Sequence, residues 1–225
     1  MVEKELEKLK NPEKAKTFLW FFKTGKGQYG EGDVFWGITV PEVRKVAKRN
    51  AECSIEEVES LLKSKVHEHR LAGLLILVEK YKSDKDFIYD FYLSHLDGVN
   101  NWDLVDLSSR FIVGDYLLNR DRAVLYELAK DENLWKRRIA IVSTYPFIKK
   151  NDFKDVFAIS EILLKDDHDL IQKAVGWMLR EAGKMDEKAL VSFLEKHKGE
   201  LKRTTLRYAI ERFEEKKRKK FLLTH

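Results

Sequence analysis

The chain has 225 residues, 44% of them hydrophobic, which suffices for a sizeable core and a single domain spanning 1–225. Its 43 Lys and Arg against 38 Asp and Glu leave a formal net charge of +5, an excess that suits a polyanionic partner without requiring one. The one cysteine, Cys53, excludes an intrachain disulfide framework and a thiolate metal cluster.

The N-terminal MVEKELEKLK lacks the apolar core of a secretion signal. The longest apolar runs, such as LLILV at 74–78, are far too short to span a bilayer. A reduced, cytoplasmic protein without a membrane partner is expected. In chain order, residues 2–10 read as a short amphipathic helix. Asn11-Pro12 restarts the chain, with Asn11 as cap and Pro12 in the first turn of a helix carrying Phe18, Leu19, Trp20, Phe21 and Phe22. Residues 24–33, TGKGQYGEGD, form a glycine-rich loop that lacks the GxxxxGK[ST] order of a phosphate cradle. Thr39 caps the next helix, with Pro41 in its first turn. Ser54 and Glu57 have capping-box spacing and start another. Further helices are expected over 66–81 and 84–95. Gly98 breaks the pattern, and Asn101 caps a helix over 101–109 that begins at Trp102.

The remaining helices are expected at 111–118, 121–130, 134–144, 153–164, 168–183, 186–196, 201–213 and 214–222. No stretch alternates apolar and polar residues long enough to insist on a strand. Polar or charged residues recur near Arg70, Arg138, Lys173 and Arg207, on the second helix of each pair, with Asp103 to Asp106 filling the gap between the first two, at a spacing of roughly 34 residues, a length typical of two-helix repeats. The pattern predicts an all-α, HEAT-like solenoid of stacked antiparallel helix pairs, curved, with the second helices lining a basic concave face. Stacked repeats with capped ends need no partner, so a monomer is expected.

Three segments carry the candidate chemistry: NNWDLVDLSSR at 100–110, LWKRRIA at 134–140 and IQKAVGWMLRE at 171–181. On a helix, Trp102 and Asp106 are four apart and share a face. Asp103, in the first turn, favours the N-terminal dipole and reads as structural. Together the segments offer carboxylates, cations and aromatic walls for a surface that meets a nucleic acid. The six histidines are scattered, His67 and His69 lie two apart on different helix faces, and no HExxH occurs, so neither a metal site nor a cofactor is expected. From Leu201 to Lys220 there are nine Lys or Arg, including Arg203 and Arg207. Such a run can track phosphates. Lys45, Arg49, Arg70, Arg137, Lys173 and Arg180 are further phosphate candidates that would position a duplex without reading its sequence.

Four segments in order, VFWGITVPEVRKVAK at 34–48, NWDLVDLSSRFIV at 101–113, LWKRRIAIVS at 134–143 and IQKAVGWMLREAGK at 171–184, resemble the DNA alkylation repair family, the HEAT-like alkylpurine DNA glycosylases. The resemblance implies stacked helix pairs curved around double-stranded DNA containing alkylated purines, as expected of a nucleoid-associated protein. The implied activity is hydrolysis of the N-glycosidic bond of a cationic N3- or N7-alkylated purine, without flipping the base. It assigns the family's Trp and Asp, four residues apart, to Trp102 and Asp106, its Arg to Arg138 with Arg137 beside it, and its second Trp to Trp177. The family's aromatic residue before the G[IV]xxP segment has Tyr29, Phe35 and Trp36 as candidates. The alternative is a member that binds branched or distorted DNA and cuts nothing.

Overall fold

The computed structural model describes residues 1–224. It is all-α: among these residues fifteen helices are joined by turns and loops, and the only β-type pairing is an isolated bridge between Val34 and Val66. The chain packs as two compact units, Met1–Ser108 and the residues from Ser109 onward.

The first unit contains α1 (Val2–Glu7), α2 (Pro12–Phe21), α3 (Val40–Arg49), α4 (Ile55–Leu62), α5 (His67–Lys80), α6 (Lys85–Ser94) and α7 (Trp102–Asp106). Their starts follow the expected signals. The Asn11 side chain accepts from the Lys14 amide at 3.0 Å, and the Thr39 amide and hydroxyl donate to the Glu42 carboxylate at 2.9 and 2.6 Å. Ser54 accepts from the Glu57 amide at 3.3 Å, but the Glu57 carboxylate does not return to its own helix. It takes the amide of Val2 at 2.8 Å and the N-terminal ammonium, tying α1 to α4.

The core of this unit is α5, which is packed by α1, α3, α4, α6 and α7. Leu71, Leu74, Ile76 and Leu77 on it are at most 2% exposed, each such side chain contributing about 1.5–3 kcal/mol on burial. Because α5 is covered on several sides, its first turn also buries His67, Glu68, His69 and Arg70. Those polar groups need partners within the protein, and they find them in the segment between α2 and α3. The Glu68 carboxylate accepts the amides of Trp36, Gly37 and Ile38 at 2.8–3.1 Å. Gly37 has φ +76°, and a Cβ there would lie 2.1 Å from the Asn11 carbonyl oxygen, so only glycine fits.

The second unit contains α8 (Ala123–Leu128), α9 (Leu134–Val142), α10 (Tyr145–Lys149), α11 (Lys154–Leu163), α12 (Asp169–Met185), α13 (Glu187–Lys196), α14 (Arg203–Ala209) and α15 (Glu215–Thr224). Short connections pair α8 with α9 and α11 with α12, α13 packs back on α12, and α9, α12 and α14 stack in succession, as in a HEAT-like array. At Gly176 an added Cβ would meet the Tyr208 Cβ at 2.5 Å and the Thr205 carbonyl oxygen at 2.7 Å, which is why α12 and α14 approach so closely.

Two expectations fail locally. The helix expected over 111–118 is a wide π-helical turn, Arg110–Gly114, followed by a 3-10 turn at Leu117–Asn119. Gly114 lies against the Ser143 carbonyl, which a Cβ would approach to 2.4 Å, and against the Pro146 ring, a close approach of backbone to backbone that the hydrophobic pattern does not encode. The helix expected over 134–144 ends at Val142, and α10 begins at Tyr145 with Pro146 in its first turn.

Candidate active site

Residues 100–108 form the end of the first unit. The Asn101 side chain, fully buried, accepts from the Trp102 amide at 2.8 Å and starts α7. The helix runs only to Asp106. The Ser108 hydroxyl then donates to the Leu104 carbonyl at 2.6 Å and lies 2.9 Å from the buried hydroxyl of Tyr92, closing the turn. Burial pushes the Tyr92 phenol well above its ordinary range, so this contact stays neutral. Within this frame Trp102 and Asp106 face the same cavity, as their spacing predicts.

That cavity, of about 340 Å³, is walled by Phe18, Phe21, Phe22, Phe35 and Trp102, floored by Ile38 and Leu71, and edged by Asp103 and Asp106. Phe22 stacks on Trp102 (centroids 5.4 Å apart, 17° between planes) and on Phe35 (4.8 Å, 18°), while Phe21 meets the indole edge-on at 5.8 Å. An aromatic enclosure attracts a cationic, apolar-bodied ligand through the ring faces. Of the three aromatic candidates before the helix at 40, Phe35 lines this cavity. Trp36 instead packs edge-on against His69 with Lys10 over its face. Tyr29 is half-buried in the glycine-rich segment.

Behind the aromatic wall lies a group the sequence pattern did not single out. His67 Nε2 is 2.8 Å from Asp103 Oδ2, its Nδ1 is 3.5 Å from Asp33 Oδ2, and Arg70 bonds Asp33 at 2.7 Å and the Ser64 carbonyl at 2.7 Å. Burial alone would push the imidazole below its ordinary value. The Asp103 carboxylate outweighs that, Asp33 adds to it, and His67 rises to about 9. Burial likewise works to raise Asp33, but His67 and Arg70 hold it below the usual carboxylate range. Asp103 is therefore structural in the sense expected, though its partner is a histidine as well as the helix start. Arg70, expected to face phosphates, is 3% exposed and turned inward, because the buried Asp33 carboxylate requires a counter-charge.

In the second unit Arg138 and Trp177 lie on the stacked helices α9 and α12. Arg138 is 5% exposed and donates to the Leu170 carbonyl at 2.6 Å. Arg137 bonds Asp166 at 2.7 Å and the carbonyls of Asp131 and Glu132, bridging neighbouring helix pairs. Trp177 is half-buried on α12, next to Gly176.

The other expected phosphate contacts divide by exposure. Lys45 is exposed on α3, and Arg49 is paired with Glu5 at 2.9 Å. Arg180 is held between Glu211 and Glu181, and Arg203 donates to the Leu222 carbonyl at 2.6 Å. Lys173, paired with Asp169 at 2.6 Å, and Arg207 meet around an open cavity of about 550 Å³ that Arg218 and Tyr208 also line. Among the described residues no cluster of His, Cys, Asp or Glu could hold a metal ion, and no helix is long and apolar enough to cross a membrane.

The protein family described as DNA alkylation repair enzyme matches residues 2–213. Among solved structures, one described as "Predicted DNA alkylation repair enzyme from Enterococcus faecalis" is similar with a TM-score of 0.76 and 19% sequence identity, over 92% of this chain and 97% of that one. At that identity the likeness establishes the fold alone. The curated proteins contain no match.

Proposed function

The chain belongs to the DNA alkylation repair enzyme family, and from that premise we propose that it is a DNA glycosylase acting on cationic N3- or N7-alkylated purines in duplex DNA. The observation that supports the reading is that Trp102 and Asp106 line one aromatic cavity.

Alkylation at N7 or N3 makes the purine a cation and a good leaving group, so no strong general acid is needed. As the N-glycosidic bond breaks, its electron pair goes to the base, which leaves neutral, and the sugar becomes cationic. The Asp106 carboxylate stabilises that developing charge and orients the water whose oxygen bonds C1′ while its proton passes to the carboxylate or solvent. Trp102 contributes an indole face against the charged nucleotide, and Trp177 keeps the role that the family resemblance implies for it. The phosphate contact that the resemblance implies for Arg138 requires it to give up the Leu170 carbonyl, and Arg49, Arg180 and Arg203 would likewise exchange internal partners for phosphates, whereas Lys45, Lys173 and Arg207 supply the salt-dependent hold on the backbone. In this reading the base stays stacked in the duplex, unlike the route of most base-modifying enzymes. The apolar cavity beside Asp106 leaves room for an alkyl group larger than methyl.

A second reading, a binder of branched or distorted DNA without cleavage, is favoured by one observation: Arg138 is spent on an internal carbonyl. Incubating the protein with alkylated duplex and with undamaged four-way-branched DNA separates the two. Free alkylpurine in the supernatant, detected by mass spectrometry, supports the glycosylase. Tight binding of the branch with no released base from the duplex supports the second reading and overturns the first.

A further inference from the structure

Asp33, His67, Arg70 and Asp103 bring three parts of the first unit together: the end of the glycine-rich segment, the first turn of α5 and the start of α7. All four side chains are at most 7% exposed. Two carboxylates and one guanidinium leave this cluster one positive charge short, and the imidazole is the only group able to supply it. Neither His67 Nδ1 nor Asp33 Oδ2 has another hydrogen-bond partner, so a proton on Nδ1 points at the one oxygen that lacks a donor. His67 also reaches the cavity through its ring. It stacks on Phe35 at 4.5 Å and leans on Phe22 at 4.9 Å, the ring that stacks on Trp102.

We propose that His67, as an imidazolium, is a positioning residue that locks the glycine-rich segment to α7 and thereby fixes Trp102 and Asp106 against the aromatic wall. Asp103 is the link, because it immediately follows Trp102 and lies within one helical turn of Asp106. The groups facing His67 are Asp103 from α7, Asp33 from the segment before α3, and Arg70 one turn on along α5, which opposes protonation. The neighbouring Glu68 carboxylate is committed to the amides of Trp36, Gly37 and Ile38. Two charges of each sign make the joint tight while the imidazole is protonated. Loss of that proton leaves a buried excess of negative charge between the two carboxylates, and the joint loosens. The value of about 9 for His67 puts that loosening on the alkaline side.

This inference rests on Trp102 and Asp106 being the reacting wall, and its test has one readout that needs no catalysis. The tryptophan fluorescence of the DNA-free protein is titrated from about pH 6 to about pH 10, a range that brackets the imidazole's ordinary and raised values. Wild type, Asp103→Asn, His67→Gln and a Trp102→Phe control are compared. In wild type a transition near pH 9 is expected that Trp102→Phe removes. In Asp103→Asn, which keeps the side-chain shape but removes the charge, the transition moves at least one pH unit lower. In His67→Gln it disappears.

Single-turnover base release from N7-methylguanine duplex is followed over the same range. Asp103→Asn is expected to lose activity at lower pH than wild type. His67→Gln is expected to be at least ten-fold slower near neutral pH, with duplex affinity within several-fold. If His67→Gln fails to fold, the Asp103→Asn titration still decides. Coincident transitions in wild type and Asp103→Asn overturn the proposal. So does wild-type release by His67→Gln while Asp106→Asn is inactive. Release that survives Asp106→Asn defeats the reading of the reacting wall instead, and leaves the fluorescence result to judge the joint.

Discussion

Asp103 and Asp106 stand three residues apart on one short helix, yet Asp103 is closed into an ion cluster while Asp106 sits on the wall of the aromatic cavity. Helical position puts Trp102 and Asp106 on one face, and both line the cavity, but Asp103 reaches it as well. The sequence could not reveal why Asp103 is held so firmly, because its partner His67 is 36 residues away and shows no metal or catalytic spacing. The signal that could have raised His67 is its place at the N-terminus of α5, the helix whose apolar run LLILV marks it as the most buried of the unit. A polar residue opening such a helix needs a buried partner. Gly176 lets α12 and α14 approach closely, and the contact distances give a larger residue there a cost. Gly176→Ala is expected to destabilise the second unit by roughly 1–3 kcal/mol through overpacking, read as a lower urea midpoint. An unchanged midpoint would mean that α14 can move aside freely.

Helix starts were the best-read feature at the scale of elements. Asn11, Thr39, Ser54 and Asn101 all sit at the expected starts, because capping is a local matter of one side chain and the following amides. Where elements end was less legible. The π-helical turn at Arg110–Gly114 and the separate α10 depend on Gly114 packing against Ser143 and Pro146, contacts made across sequence. The segment between α2 and α3 is a loop, as its glycines suggest, but a tethered one, and Glu68 is the tether. Replacing Glu68 by Gln keeps one acceptor oxygen and removes the charge that strengthens these bonds. Faster hydrogen exchange at the amides of Trp36, Gly37 and Ile38 is expected, with the amides at the centre of α5 unaffected. Equal protection in the variant would show that the bridge at Val34 and Val66 holds the segment unaided. At α7, Asn101→Ala should cost about 1 kcal/mol, seen as a lower unfolding midpoint. No loss would mean that packing of Trp102 alone defines the start of the helix.

For the whole molecule, fold class was readable because helix-forming stretches follow one another with short connections and no strand alternation, and the family followed from four segments in fixed order. Charge was readable only in part. A sequence shows that Arg70 and Arg138 are cationic but not that both are drawn inward. The raised value at His67 makes stability depend on pH. Its folded-state value, about 9, lies above the ordinary imidazole value of 6.5. The stabilisation is therefore fully present below about pH 6.5 and is lost as pH rises through about 9, an effect on the order of 3 kcal/mol. The urea midpoint of wild type should fall over that window, and His67→Gln should lack this component. DNA binding should weaken steeply with salt, and Arg207→Ala should reduce the magnitude of the logarithmic salt slope by about one, whereas an unaltered slope would remove Arg207 from the interface. The most direct test of the central claim is base release from a duplex carrying N7-methylguanine, followed as alkali-labile abasic sites over time with Asp106→Asn beside the wild type. Release that Asp106→Asn largely abolishes, with affinity for the damaged duplex kept within several-fold, is the predicted result. Release at the wild-type rate by Asp106→Asn, or none by the wild type, would contradict it.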